Sequence, residues 1–164
     1  VRSHLKDITD KGGAILTGGD THALGGTFFT PTIATGITQD MKVATEETFG
    51  PVAPLFRFET EQEAIALAND TIFGLACYFY AKDISRITKV SEALEYGIVG
   101  VNTGIISTEV APFGGVKDSG YGCTLSKLGF ESLTRPRSFQ ISTLSPVTIP
   151  RRSASVRLMV TSCS

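Results

Sequence analysis

The sequence predicts an α/β fold: an open, mostly parallel sheet with flanking helices. Three observations carry this reading. Apolar, strand-like runs at residues 52–58, 75–80 and 98–102 alternate with segments of helical periodicity. Each of those segments opens on a side chain suited to capping a helix, Thr60 and then Asp83. The connections between runs are short, and strand–helix–strand–helix–strand with short links forces parallel neighbours and right-handed crossovers.

The elements follow in order. Val1, Leu5 and Ile8 recur at helical spacing and Gly12-Gly13 is a suitable stop, so residues 1–11 read as the end of a helix. Residues 14–17 form a short strand candidate closed by Gly18-Gly19, residues 20–26 a loop, and residues 27–34 an extended stretch that Pro31 assigns to a sheet edge. The glycines of residues 18–26 do not form Gly-x-Gly-x-x-Gly and do not run into a helix, so they are not a phosphate loop. Thr60 and Glu63 form a capping box for a helix to Asn69. After Asp83, residues Ile84, Ile87, Val90 and Leu94 share one face of a second helix, which Gly97 ends. An open sheet of this type binds ligands beyond the carboxyl ends of its strands. There lies the long loop of residues 103–123, whose Pro112-Phe113-Gly114-Gly115 favours a packed loop over a disordered linker. Residues 125–133 are a last helix candidate. Residues 134–164 differ in composition, with many Ser and Thr, three prolines, five arginines and no acidic residue. This tail carries +5 of a chain whose net charge is −1, leaving −6 for residues 1–133. A disordered, functionally silent end outweighs a nucleic-acid or anionic-membrane contact, because no aromatic residues are interleaved for base stacking.

At 164 residues the chain suits one domain with a real core. An apolar fraction of 41% and a charged fraction of 19% are those of a globular protein, and the small net charge argues against a polyanionic partner for the molecule as a whole. No apolar run approaches membrane-spanning length and no signal peptide opens the chain, so a soluble, cytoplasmic protein is expected, with mitochondrial residence the alternative should a targeting segment lie upstream. Cys77, Cys123 and Cys163 are odd in number and far apart, which supports neither a disulfide framework nor a zinc site. His4 and His22 are isolated, and a solvated loop position outweighs a metal site at His22 and Asp20.

The stretch with chemical content is Glu46-Glu47-Thr48-Phe49-Gly50-Pro51. A carboxylate accepts two hydrogen bonds from a sugar diol, an aromatic ring lies against a planar base, and Gly-Pro fixes the turn that holds both. On composition alone an acidic turn with one buried Phe outweighs that nucleotide reading. The balance shifts because the stretch resembles the Glu-Glu-x-Phe-Gly-Pro element of the aldehyde dehydrogenase superfamily. Residues 46–58, 74–83, 92–104 and 112–120 keep matching in order, most like the succinate-semialdehyde dehydrogenases of 4-aminobutyrate degradation, and the resemblance runs from Val1 to about Leu133.

The resemblance implies that residues 1–133 are the C-terminal part of an aldehyde dehydrogenase catalytic domain. It implies an NAD- or NADP-dependent oxidation of an aldehyde to an acid, in which a cysteine thiolate attacks the carbonyl and a glutamate activates the water that releases the product. By the same resemblance Glu47 would hold the nicotinamide ribose hydroxyls, Phe49 would position the nicotinamide, and Ser107 would help bind the substrate carboxylate. The family's nucleophilic Cys, general-base Glu and dinucleotide-binding strands align before Val1, so no catalytic residue and no metal ligand is expected in this piece, which on that basis is inactive alone. Cys77, inside a strand pattern, reads as a buried inert thiol, and Cys123 has no histidine nearby in sequence to activate it. After Gly122 the chain departs from the family pattern. Arg135-Pro136-Arg137 makes a poor start for the terminal strand that joins the family's subunits, which puts the family's homo-oligomerisation in doubt here. The competing reading is a non-catalytic docking or pseudo-enzyme module that binds full-length subunits, exposing apolar surface meant for absent chain. The expected partner is a small-molecule aldehyde, with neither nucleic acid nor membrane.

Overall fold

A computed structural model describes residues 1–106, 108, 111–120 and 122, together with the backbone of 138–141 and 157–159. The chain forms two compact units, Val1–Glu59 and Thr60–Ser164. Both combine helices with strands, and parallel pairing predominates in the second, as the alternating pattern implies.

The first unit is a three-stranded sheet with α1 (Arg2–Asp10) packed on one side. Its strands are β1 (Ala14–Thr17), β2 (Thr32–Thr35) and β3 (Val52–Pro54), in the order β1-β2-β3. The β1–β2 pair is antiparallel and the β2–β3 pair parallel, with Ala34 opposite both Ile15 and Pro54. Leu5 and Ile8 of α1 pack with Ala34, Ile37 and Met41 in a core that Ile15 and Val52 border. The predicted helix stop is present: the Gly13 N–H donates to Ile8 O at 2.8 Å, and Gly12 takes φ +87°, a conformation open to glycine without a Cβ clash.

Two expectations are corrected in this unit. Pro31 does not put its strand at an edge, because β2 begins at Thr32 and is the middle strand. Pro31 precedes the ladder, so its missing N–H removes no bond from it. The third strand stops at Pro54 rather than at residue 58, and it pairs with β2 instead of joining the sheet of the later strands.

The second unit carries a four-stranded sheet in the order β6-β5-β4-β7. These strands are β4 (Ala76–Tyr80), β5 (Ile98–Val101), β6 (Ser138–Ile141) and β7 (Arg157–Met159). The β4–β5 and β5–β6 pairs are parallel and β7 adds antiparallel to β4. All four residues of β5 are buried, which suits its continuous apolar run. Cys77, Phe79, Val99 and Val101 pack with helix residues Ala68, Ile87 and Val90, whereas Ala76 and Ile98 form a separate cluster with Ile106, bordered by Phe113.

Local chemistry sets the helix starts as predicted. The Thr60 hydroxyl accepts from the Glu63 N–H at 3.1 Å at the head of α3 (Glu61–Asn69). The Asp83 carboxylate accepts from the Arg86 N–H at 2.8 Å at the head of α4 (Ile84–Ala93). Of the predicted apolar face, Ile87, Val90 and Leu94 are buried, but Ile84 lies in the first turn and is exposed. Gly97 does not end α4, which stops three residues before it, at Leu94 as C-cap. A Cβ at Gly97 would lie 1.9 Å from Gly114 O, so the glycine is there to let the loop backbone approach.

The loop of residues 103–123 is packed over its described part. The Gly74 N–H donates to Ser119 Oγ at 3.0 Å, and the Val116 N–H donates to Gly74 O at 3.0 Å. Lys117 Nζ reaches Asn69 O at 2.7 Å, Thr71 O at 3.2 Å and the Glu95 carboxylate at 2.8 Å. The tail is corrected in part. Of residues 134–164, β6 and β7 are paired strands rather than disordered chain. The helix candidate at residues 125–133, with Cys123 and Cys163, lies outside the described residues.

Gly97→Ala should destabilise the protein by about 3 kcal/mol in denaturant unfolding, because the clash is with backbone that cannot move cheaply. Gly104→Ala, whose added methyl meets nothing nearer than Tyr80 Oη at 3.9 Å, should stay within about 0.5 kcal/mol of the parent.

Candidate functional site

The segment from Glu46 to Pro51 links α2 (Lys42–Thr45) to β3 and opens on an extended Glu46. Its ends are fixed by backbone bonds. The Glu46 N–H donates to Lys42 O at 2.7 Å, and the Thr32 N–H donates to Pro51 O at 2.8 Å. The short α2 is itself held by α1: the Lys42 N–H donates to the Asp7 carboxylate at 2.8 Å. That bond is the largest influence holding the Asp7 carboxyl below its ordinary value.

Within this frame Glu46 and Glu47 are not equivalent. The Glu46 carboxylate lies 3.1 Å from His4 Nε2, and Thr48 Oγ1 lies 3.0 Å from His4 Nδ1. His4 is therefore not isolated, as its sequence surroundings had implied; it is 6% exposed and bonded at both nitrogens. Glu47 is half-buried. Phe49 is 80% exposed, which removes the reading of the hexapeptide as an acidic turn around a buried Phe. Its φ is +40°, a region that costs a bulky side chain about 1–3 kcal/mol and that recurs at ligand-binding positions. Gly50 follows in a close fit, since a Cβ there would lie 2.4 Å from Val1 Cγ2.

Other sequence candidates resolve as follows. Ser107 lies outside the described residues, between Ile106, which is buried, and Thr108. Cys77 is fully buried, and burial pushes its thiol up to about 12, as expected for an inert core cysteine. Burial likewise raises Tyr96, whose O–H donates to Ala68 O at 2.6 Å. Among the described residues there is no group of three or more His, Cys, Asp or Glu that could hold a metal ion, His22 and Asp20 included, and no helix is long and apolar enough to cross a membrane. Asn102, at φ +57°, was missed by the sequence reading. Its side chain accepts from Ala81 N–H at 3.0 Å and donates to Ala81 O at 2.9 Å, fixing the chain as it leaves β5.

The Aldehyde dehydrogenase family model matches residues 1–139. The chain belongs to the aldehyde dehydrogenase family. Over 131 residues, 80% of this chain, it is 60% identical to the NADP(+) succinate-semialdehyde dehydrogenase GabD of Escherichia coli K12 and 59% identical to the 3-sulfolactaldehyde dehydrogenase of Pseudomonas putida. A succinate-semialdehyde dehydrogenase from Burkholderia pseudomallei superposes with a TM-score of 0.77 at 60% identity, covering 80% of this chain and 27% of that one. A betaine aldehyde dehydrogenase of Staphylococcus aureus, solved in complex with NAD+, superposes at 0.74 with 40% identity, covering 79% and 27%. The chain thus spans 27% of the length of the two curated relatives.

Cys77 is fully buried, and burial raises its thiol, so neither access nor ionisation favours alkylation. Iodoacetamide should therefore leave Cys77 unmodified in the native protein and alkylate it only in denaturant, as read by peptide mass spectrometry.

Proposed function

We propose that this aldehyde dehydrogenase chain is the C-terminal catalytic-domain portion, residues 1–133, of an NAD(P)-dependent succinate-semialdehyde dehydrogenase, with residues 134–164 a divergent tail. The observation that carries the cofactor role is the division of labour in one short segment. Glu46 and Thr48 are drawn to His4, while Glu47 is placed between them and Phe49 presents its ring to solvent at a strained backbone angle.

These residues fit a nicotinamide dinucleotide. The Glu47 carboxylate, an acceptor with two oxygens, suits the two hydroxyls of the nicotinamide ribose, and the exposed Phe49 ring suits one side of the nicotinamide. When bound, such a group accepts a hydride from the aldehyde carbon. What the chain's own residues do is bind, orient and shield that end of the cofactor, which is worth rate only if the ring is held in one pose. Ser107 supplies a hydroxyl donor to the substrate's distal carboxylate. Support for an anionic substrate comes from relatives named for succinate semialdehyde, glutarate semialdehyde and 3-sulfolactaldehyde, each an aldehyde with a second, anionic group. The nucleophilic cysteine belongs to the remaining length of the relatives, so the described chain is inactive alone.

A second reading, a non-catalytic module that docks on full-length subunits, is favoured by Leu16, Ile33 and Leu55, which remain exposed in the first unit. Failure of the purified chain to associate with full-length enzyme in sedimentation would remove it.

In the intact gene product, Glu47→Gln and Phe49→Ala should each raise the dissociation constant for the dinucleotide about tenfold, the loss of one charge-assisted hydrogen bond or one ring contact. Wild-type constants in both variants would remove these roles. Ser107→Ala should lower kcat/KM for succinate semialdehyde by about tenfold more than for an uncharged aldehyde of similar length. Equal losses for the two substrates would take Ser107 out of the substrate site.

A further inference from the structure

α1 lays one stripe of side chains on the segment that carries Glu47 and Phe49. Val1, His4, Leu5 and Ile8 recur at three- and four-residue spacing, and Leu5 and Ile8 enter the core. His4 is the polar member of that stripe and is nearly as buried. Burying an imidazole is costly unless its nitrogens are bonded, and here both are. The Glu46 carboxylate only accepts, so His4 Nε2 carries the proton and donates to it at 3.1 Å. In the neutral ring Nδ1 then accepts from the Thr48 hydroxyl at 3.0 Å.

The two partners are two residues apart and reach one ring. Glu46 is extended, at φ −104° and ψ 140°. The two bonds to one ring hold the chain on both sides of Glu47. The same helix limits the segment's far end, where Val1 leaves no room for a Cβ at residue 50.

We infer that His4 is a positioning residue for cofactor binding: by bridging Glu46 and Thr48 it locks the segment so that Glu47 and Phe49 meet the nicotinamide end of the dinucleotide. It acts through its two partners and touches neither cofactor nor substrate. This role rests on the dinucleotide reading of the segment given above. An apolar residue of similar volume would fill the site without holding the segment, whereas Gln, which carries both a donor and an acceptor, would hold it.

The test uses the intact gene product, with NADPH and NADH as probes in fluorescence titrations and hydrogen–deuterium exchange across residues 45–51. His4→Leu is expected to raise the dissociation constant about tenfold, the loss of roughly one hydrogen bond's worth of ordering. His4→Gln should stay within about threefold of wild type, and the combined loss in His4→Leu/Glu47→Gln should be smaller than the product of the separate losses, because both act on one contact. Faster exchange of residues 45–51 in His4→Leu, but not in His4→Gln, is the accompanying structural result. An unchanged constant in His4→Leu beside a raised one in Glu47→Gln overturns the role of His4 alone. Equal losses in the Leu and Gln variants, or losses that multiply, overturn it as well. An unchanged constant in Glu47→Gln overturns the dinucleotide reading and this role with it.

Discussion

The contact between α1 and the chain from Glu46 to Gly50 is the constraint on which the candidate site depends. Phe49 is exposed and at positive φ, an arrangement that a bulky side chain does not favour by itself. The order comes from the helix: Leu5 and Ile8 anchor it in the core, Asp7 holds the start of α2, His4 takes Glu46 and Thr48, and Val1 closes on Gly50. A functional contact on a loop is useful only to the extent that rigid elements hold it, and here one nine-residue helix provides the support from its buried side.

The second unit follows a different rule. Its parallel strands β4 and β5 are apolar on both faces, so both must be covered. Helix residues cover one side of the cluster around Phe79 and Val99, and loop residues Ile106 and Phe113 pack with Ala76 and Ile98. This makes the glycine-rich loop part of the packing. Gly97 and Gly114 approach so closely that a side chain on the first would collide with the second.

What could be read from the sequence was whatever a few adjacent residues determine. Thr60 and Asp83 announce their helices because a side-chain oxygen three residues before a free N–H is a local event. The Glu-Glu-x-Phe-Gly-Pro stretch was visible for the same reason. His4 was not, because its partners lie 42 and 44 residues away and a lone histidine on a helix gives no sign of them. The purpose of Gly97 was hidden likewise, since the backbone that excludes a Cβ belongs to Gly114. Sheet membership failed too: residues 52–54 look like the later strands in composition but pair with β2, a choice made by long-range packing. Ile84 fits the apolar period of its helix, yet its place in the first turn leaves it exposed.

The account stands on the claim that Glu47 and Phe49 form the nicotinamide end of a dinucleotide site. A crystal structure of the intact gene product grown with NADP+ tests it most directly. The account predicts the Phe49 ring against the nicotinamide and the Glu47 carboxylate within hydrogen-bond distance of the adjoining ribose hydroxyls, with His4 still bridging Glu46 and Thr48. A bound dinucleotide whose nicotinamide ribose contacts neither residue would contradict it.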